Sequence, residues 1–254
     1  MYKRKTYRFP NAIEVEEYHN GRYGAPGQRR QKRRKPTPEQ VEKNNQRNKE
    51  NACRRKLREH FREGDYYLTL TYARDTRPKG MEEAKKDFSR AMRRIRRDYA
   101  AEGHKLKWIR NIEVGSRGAW HIHLVINRIT GTDIIIQNAW THGRVHYQML
   151  YEKGGYRDLA KYITKSQRTD PRVVDSSYST SRNIPIPEPE IEIVGSGSWK
   201  KKRKIPEGWY LDKESYWEGT NPVTGYPCRY YTLLRTKGAR DFKRRKKHEK
   251  RRDE

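Results

Sequence analysis

Acid is in short supply: Asp and Glu number 32 against 60 Lys and Arg, a formal net charge of +28. That excess goes well beyond what solubility needs and matches a polyanionic partner whose counterions are released on binding, which makes nucleic acid the leading partner class. Cysteine is nearly missing. Cys53 and Cys228 stand far apart without C-x-x-C spacing, which argues against a zinc ribbon or a disulfide framework and fits a reducing compartment. Long hydrophobic runs are missing too: none approaches the roughly 20 residues of a spanning helix. No basic amphipathic helix with a Trp/Leu face stands out, so no membrane partner is expected. Met1-Tyr2-Lys3-Arg4-Lys5 leads into no apolar stretch, which predicts no secretory signal and a cytoplasmic protein. There is no G-x-x-x-x-G-K-[ST] loop and hence no sign of an ATP motor. With 32% hydrophobic residues against 36% charged, one modest core with polar extensions is expected.

The organisation follows from composition. Residues 1–36, which hold Gly, Pro and the run Gln28 to Lys35, are expected to form a basic arm without a core. Thr37-Pro38-Glu39-Gln40 spells a capping box with proline at the first helical position, predicting a polar helix over residues 37–64. Tyr66 to Tyr72 alternates as a strand does. Lys79 to Tyr99 reads as a helix with Ala84, Phe88, Ala91, Met92 and Ile95 on its apolar stripe, and Arg90, Arg93, Arg94, Arg96 and Arg97 opposite. Lys107 to Val114 and Ala119 to Ile126 read as a hairpin around a short glycine-containing loop. Asp133 to Trp140 fits a short helix or an extended segment, Gly143 to Leu150 a strand, and residues 156–166 a helix. A Pro- and Ser-rich stretch over 170–198 reads as a linker to an aromatic and basic segment, 199–254, whose end from Arg235 holds eleven basic residues.

Chemistry concentrates in the hairpin. His121-Ile122-His123 places two imidazoles on one face of a strand, where both rings can hold one metal ion. If the loop is Ser116-Arg117-Gly118 with glycine left-handed, Glu113 pairs with His121 and joins the histidines on that face; a two-residue loop would turn the carboxylate away. Two imidazoles and a carboxylate suit Mn, Fe, Co, Ni or Zn, and a phosphate substrate shifts the expectation to Mg2+ or Mn2+. The nucleophile candidate is Tyr162, with Lys165 one turn on. Tyr-x-x-Lys occurs three times, at Tyr2, Tyr162 and Tyr210, and only the middle one lies in an amphipathic helix downstream of the histidines. A phenol ionises little at neutral pH, so an adjacent ammonium that favours phenolate and neutralises phosphate is useful. The same pair is equally readable as a packed tyrosine beside a solvated lysine. Tyr156 is read as a packing residue, and as a second nucleophile only if the helix breaks at Gly154-Gly155. His142 and His146, at i and i+4, are read as surface or DNA-facing residues on one face. Trp199, Trp209, Tyr210, Tyr216 and Trp217 suit either base stacking or a small C-terminal core.

In order, these pieces resemble the HUH endonucleases, in particular the rolling-circle replication initiators of small bacterial plasmids and filamentous-type phages. Leu68-Thr69-Leu70-Thr71-Tyr72 is similar to the first motif strand, His121-Ile122-His123 to the second motif, and Tyr162-Ile163-Thr164-Lys165 to the third; Trp140 to Val145 and Ser181-Arg182-Asn183 are similar too. The resemblance spans about residues 60 to 185. It implies an α+β fold, a ferredoxin-like (RRM-like) antiparallel sheet with helices on one face, and an endonuclease domain over residues 65–169. It also implies cleavage of single-stranded DNA at an origin hairpin in the bacterial cytoplasm, with Glu113, His121 and His123 holding the ion, Tyr162 attacking phosphorus to leave a 5′-phosphotyrosine, and Lys165 stabilising charge. Arg90, Arg93, Arg94, Arg97 and Arg182 are expected to meet DNA, and a host helicase would have to be recruited to separate strands. Rival readings are a relaxase or transposase with the same chemistry, a non-catalytic RRM-like nucleic-acid-binding protein, and a two-His-one-Glu oxygenase, which the charge disfavours.

Overall fold

The structure, a computed structural model, describes residues 1–19, 35–115, 118–151, 153–165, 178–196, 205–221 and 224–236. In chain order its elements are β1 (Tyr2–Arg8), β2 (Ala12–Tyr18), α1 (Pro38–His60), β3 (Tyr66–Thr71), α2 (Met81–Ala101), β4 (Trp108–Val114), β5 (Trp120–Ile126), α3 (Thr132–Ala139), β6 (Val145–Met149), α4 (Arg157–Thr164), β7 (Tyr178–Thr180), β8 (Glu190–Val194), β9 (Trp209–Thr220) and β10 (Pro227–Arg235). They form two units, residues 1–44 with 187–254, and residues 45–186. Among the described residues no helix is long and apolar enough to cross a membrane.

The first unit corrects the expectation of an arm. Residues 2–18 are two paired strands in a five-stranded sheet of order β8-β1-β2-β10-β9, in which every pairing is antiparallel. Ile13, Val15, Tyr231 and Leu233 are buried on one face, with Trp209, Leu211 and Tyr216 packed against them. Across the same face the Glu17 carboxylate is fully buried and accepts from Arg4 at 2.7 Å and from Arg229, pairing that a buried charge requires. The C-terminal aromatics thus divide. Trp209 and Tyr216 serve this small core, whereas Tyr210 is exposed and the exposed Trp217 ring stacks on Tyr230 at 5.7 Å. The stretch expected to be only a linker supplies β7 to one sheet and β8 to the other. The basic run before Lys35, the tail beyond Thr236 and Trp199 lie outside the described residues.

The second unit has a five-stranded antiparallel sheet of order β6-β3-β5-β4-β7. Omitting β7, the succession β3-α2-β4-β5-α3-β6 gives the ferredoxin-like arrangement, so the α+β class is as expected. Alternation along the strands sends Leu68, Leu70, Ile112, Val114, Trp120, Ile122, Leu124 and Ile126 to one face. There α2 lays down its stripe of Ala84, Phe88, Ala91, Met92 and Ile95, all buried, and α3 adds Ile136 and Ala139. The Phe, Met and Ile side chains each contribute about 1.5–3 kcal/mol by leaving water. Asp133 to Trp140 is therefore helical, opening after Gly131 at φ 73°. One charge interrupts this apolar face: Arg110 is buried with its guanidinium 5.1 Å from the Phe88 ring, and burial lowers its pKa to about 10.

The reverse face carries a second cluster, which the one-sided expectation lacked. Cys53, Leu57 and Phe61, at and just after the C-terminal half of α1, join Tyr156, Ala160 and Ile163 over Ile109 and Val125. The capping box forms as read: the Gln40 N–H donates to Thr37 Oγ1 at 3.2 Å and the Thr37 N–H to Gln40 Oε1 at 3.0 Å. The polar helix is thus partly a building element of the second unit.

Gly143 shows why a glycine stands between Trp140 and Val145. The Trp140 indole N–H donates to the Thr71 carbonyl at 2.9 Å, and a Cβ on Gly143 would overlap that same carbonyl oxygen. Gly143→Ala is expected to push β6 from β3 and to destabilise the second unit by about 1–3 kcal/mol, measured by denaturant unfolding. A change under a few tenths of a kcal/mol would show that this approach is not close.

Candidate active site

The β4–β5 hairpin has the register that a three-residue loop requires. Gly118 lies at φ 71°, the Gly115 N–H donates to the Ala119 carbonyl at 2.8 Å, and Glu113 pairs with His121. Two rows therefore cross the reverse face, Thr71-His121-Glu113 and Thr69-His123-Asn111. His146 of β6 pairs with Thr69 and extends the second row.

Three groups converge on this face. His123 Nε2 lies 2.5 Å from Glu113 Oε1, and the Tyr162 hydroxyl donates to the same Oε1 at 3.2 Å while standing 3.1 Å from Nε2. The Tyr162 ring meets the His123 ring edge-on at 5.2 Å. His121 shares the face, but its Nε2 leans over Gly115, where an added Cβ would stand 3.2 Å away. Among the described residues, no three His, Cys, Asp or Glu side chains are placed to hold a metal ion. By donor chemistry the set still fits a divalent cation: two imidazoles and a carboxylate from neighbouring strands, beside Asn111, whose buried amide has neither polar atom bonded to protein.

Tyr162 is held there from below. Ala160, Ile163 and Thr164 turn the buried face of α4 to the sheet and leave Tyr162 43% exposed. Two residues of α1 grip the ends of this short helix. Arg58 Nε donates to the Gly155 carbonyl at 3.1 Å, and Gln46 Nε2 donates to the Thr164 carbonyl at 3.3 Å. A Cβ at Gly155, which sits at φ 60°, would collide with the Arg58 guanidinium, so glycine is needed on both counts. Tyr156, also left-handed, is buried in the reverse-face cluster and anchors the turn. Lys165 follows α4 directly and is exposed.

Electrostatics around the phenol run against ionisation. Burial and then the Glu113 charge raise the Tyr162 pKa above the ordinary phenol value. Burial would also raise Glu113, but hydrogen bonds from His123 and Tyr162 and the nearby imidazoles outweigh it and hold the carboxyl below its usual range. His121 is lowered by burial and by His123, with Glu113 opposing. A bound cation reverses the sign of this field at the phenol.

The arginines read as DNA contacts are not gathered at this site. Arg90, Arg93, Arg94, Arg96 and Arg97 are exposed on α2, which covers the opposite face of the sheet, and Arg90 pairs with Asp87 at 3.4 Å. Arg182 follows Ser181, whose N–H bonds the Trp108 carbonyl at the end of β4 remote from Glu113. Nearer cations were missed: Arg77 and His146 act electrostatically on His121. His142, expected to share a face with His146, instead packs on Trp140 at 5.0 Å with Nε2 3.7 Å from Asp87. Tyr67 and Thr69, whose hydroxyls stand 2.7 and 3.2 Å from His123 Nδ1, were also missed, because two of many strand hydroxyls carry no local signal.

The segment that builds this site has relatives. Residues 65–167 match the replication-associated protein family of the ORF2 type. That match takes in all three motifs, from Leu68 to Lys165, and supports the resemblance to a rolling-circle replication initiator. No curated protein and no solved structure matches the chain.

Proposed function

We propose that this chain is a metal-dependent, site-specific nicking and joining endonuclease for single-stranded DNA, which initiates rolling-circle replication through a 5′-phosphotyrosine on Tyr162. The observation that carries this reading is the meeting of the Tyr162 hydroxyl, Glu113 Oε1 and His123 Nε2 within 3.2 Å of one another on one sheet face. The match to the replication-associated family over the same residues supports it.

Glu113, His121 and His123 would hold Mg2+ or Mn2+, which when bound polarises the scissile phosphate and offsets its charge. Tyr162 Oη attacks phosphorus in line, the bond from phosphorus to the 3′-oxygen breaks, and that oxygen leaves with a proton as a 3′-hydroxyl. The hydroxyl proton of Tyr162 already points at Glu113 Oε1, so loss of that proton has a defined direction. Lys165 is close enough in sequence to meet the phosphate beside the nucleophile. The phosphotyrosine conserves the bond, so a later 3′-hydroxyl reseals the strand without ATP. Single-stranded DNA at an origin hairpin is the substrate, and strand separation falls to a host helicase.

Incubation with single-stranded and hairpin oligonucleotide libraries plus Mn2+ tests this. A covalent protein–DNA species that chelator abolishes is expected; its absence across all sequences, with binding intact, would favour a purely binding protein.

A further inference from the structure

Tyr67 has no part in the reaction as written, yet it touches two of the three converging groups. Its hydroxyl is 2.7 Å from His123 Nδ1, its ring lies parallel to the His123 ring at 5.8 Å with an interplanar angle of 1°, and it hydrogen-bonds Tyr162. Thr69 brings a second hydroxyl to the same nitrogen at 3.2 Å. Packing does not explain the oxygen: the Tyr67 ring joins the reverse-face cluster through its apolar part, and phenylalanine would serve there equally.

We propose that Tyr67, assisted by Thr69, is a positioning residue that holds the His123 imidazole and the Tyr162 phenol in their reacting orientation. This inference rests on the nicking reading of the same site. The chemistry is specific to hydroxyls. With Glu113 Oε1 at 2.5 Å, the proton between carboxylate and ring sits on Nε2, so Nδ1 accepts from Tyr67 and Thr69. When Nε2 ligates a cation instead, the ring proton moves to Nδ1, and the same two oxygens turn to accept it. A carboxylate in place of Tyr67 would hold Nδ1–H permanently and compete with the Glu113 arrangement. Tyr67 and Thr69 serve both tautomers without moving, while the flat stacking of Tyr67 keeps the ring plane fixed between β3 and Tyr162.

Tyr67→Phe in the full chain tests this with readouts that separate it from the nicking reaction. In metal-free protein, the 15N shifts of the His123 ring are expected to change from one defined tautomer to a mixture. Mn2+ affinity, followed by water proton relaxation, is expected to weaken roughly 10–100-fold. On a cleavable oligonucleotide kcat is expected to fall by a similar factor with KM unchanged, and the thermal midpoint to stay in place. Thr69→Val reads the same Nδ1 contact without altering the stacked ring and is expected to give a smaller change of the same sign. Unchanged ring-nitrogen shifts and unchanged Mn2+ affinity in both variants would overturn the inference, as would a loss confined to KM. If wild-type protein formed no adduct on any strand, the nicking reading would fail by itself, whereas the nitrogen shifts and Mn2+ affinity still decide the role of Tyr67.

Discussion

Tyr162→Phe is expected to eliminate the covalent adduct and to slow nicking about 10,000-fold or more, a barrier increase of at least about 5 kcal/mol, with affinity for single-stranded DNA retained. The substitution removes one oxygen from a half-exposed side chain, so neither the α4 packing face nor the Arg58 and Gln46 contacts are touched. What disappears is the only atom proposed to bond phosphorus. Mass mapping of the wild-type adduct should locate the nucleotide on the peptide containing residue 162. Attachment at another tyrosine, or normal nicking by the variant, would remove Tyr162 from the mechanism. Tyr156 is the nearest rival in sequence, and its burial predicts that it takes no nucleotide.

Glu113→Gln separates two effects that usually travel together. Nicking is expected to fall roughly 1,000-fold, about 4 kcal/mol, because the one anionic donor is gone. The phenol, however, should become more acidic in the metal-free variant. After burial, the Glu113 charge is the main influence raising the Tyr162 pKa, so its removal lowers that pKa in a spectroscopic tyrosine titration. The His121 pKa should fall further for the same reason, since Glu113 alone opposes burial, His123, Arg77 and His146 there. A more ionisable nucleophile in a slower enzyme is the signature of a cation-holding carboxylate; faster nicking would mean that Glu113 only restrains Tyr162.

The same groups give acid sensitivity a definite sign. The depressed carboxyl of Glu113 contributes stability above its unfolded pKa, and this is lost as pH falls through the lower folded value. The depressed imidazole of His121 resists protonation in the folded state, so stability also declines as pH drops below the ordinary histidine value. Glu113→Gln should flatten the more acidic of these two losses.

Local pattern sufficed where structure is local. The α2 stripe was readable because Ala84, Phe88, Ala91, Met92 and Ile95 recur at helical spacing, and every one is buried. The Glu113–His121 register followed from one glycine at the left-handed position of a short loop. Long-range pairing left no such trace. Tyr2 to Arg8 looks like a basic tract because its charges are matched by Glu17, Glu190 and Glu192, the last two more than 180 residues away. Charge alone likewise pointed to the α2 arginines without saying which side of the sheet they would occupy. The contribution of α1 was hidden because Gln46 and Arg58 bind backbone carbonyls of α4, a contact that asks nothing of the residue types at the other end.

Residues 45–186 are bracketed in the chain by the two halves of the other sheet, with β1 and β2 before them and β8, β9 and β10 after. During synthesis the first hairpin must wait, as a marginal two-stranded ribbon, for partners made more than a hundred residues later, while the second unit has everything that it needs by residue 186. A ribosome halted there would release a chain with a complete nuclease half and an orphaned leading hairpin, a product in which cleavage and the contribution of the other half can be assayed apart.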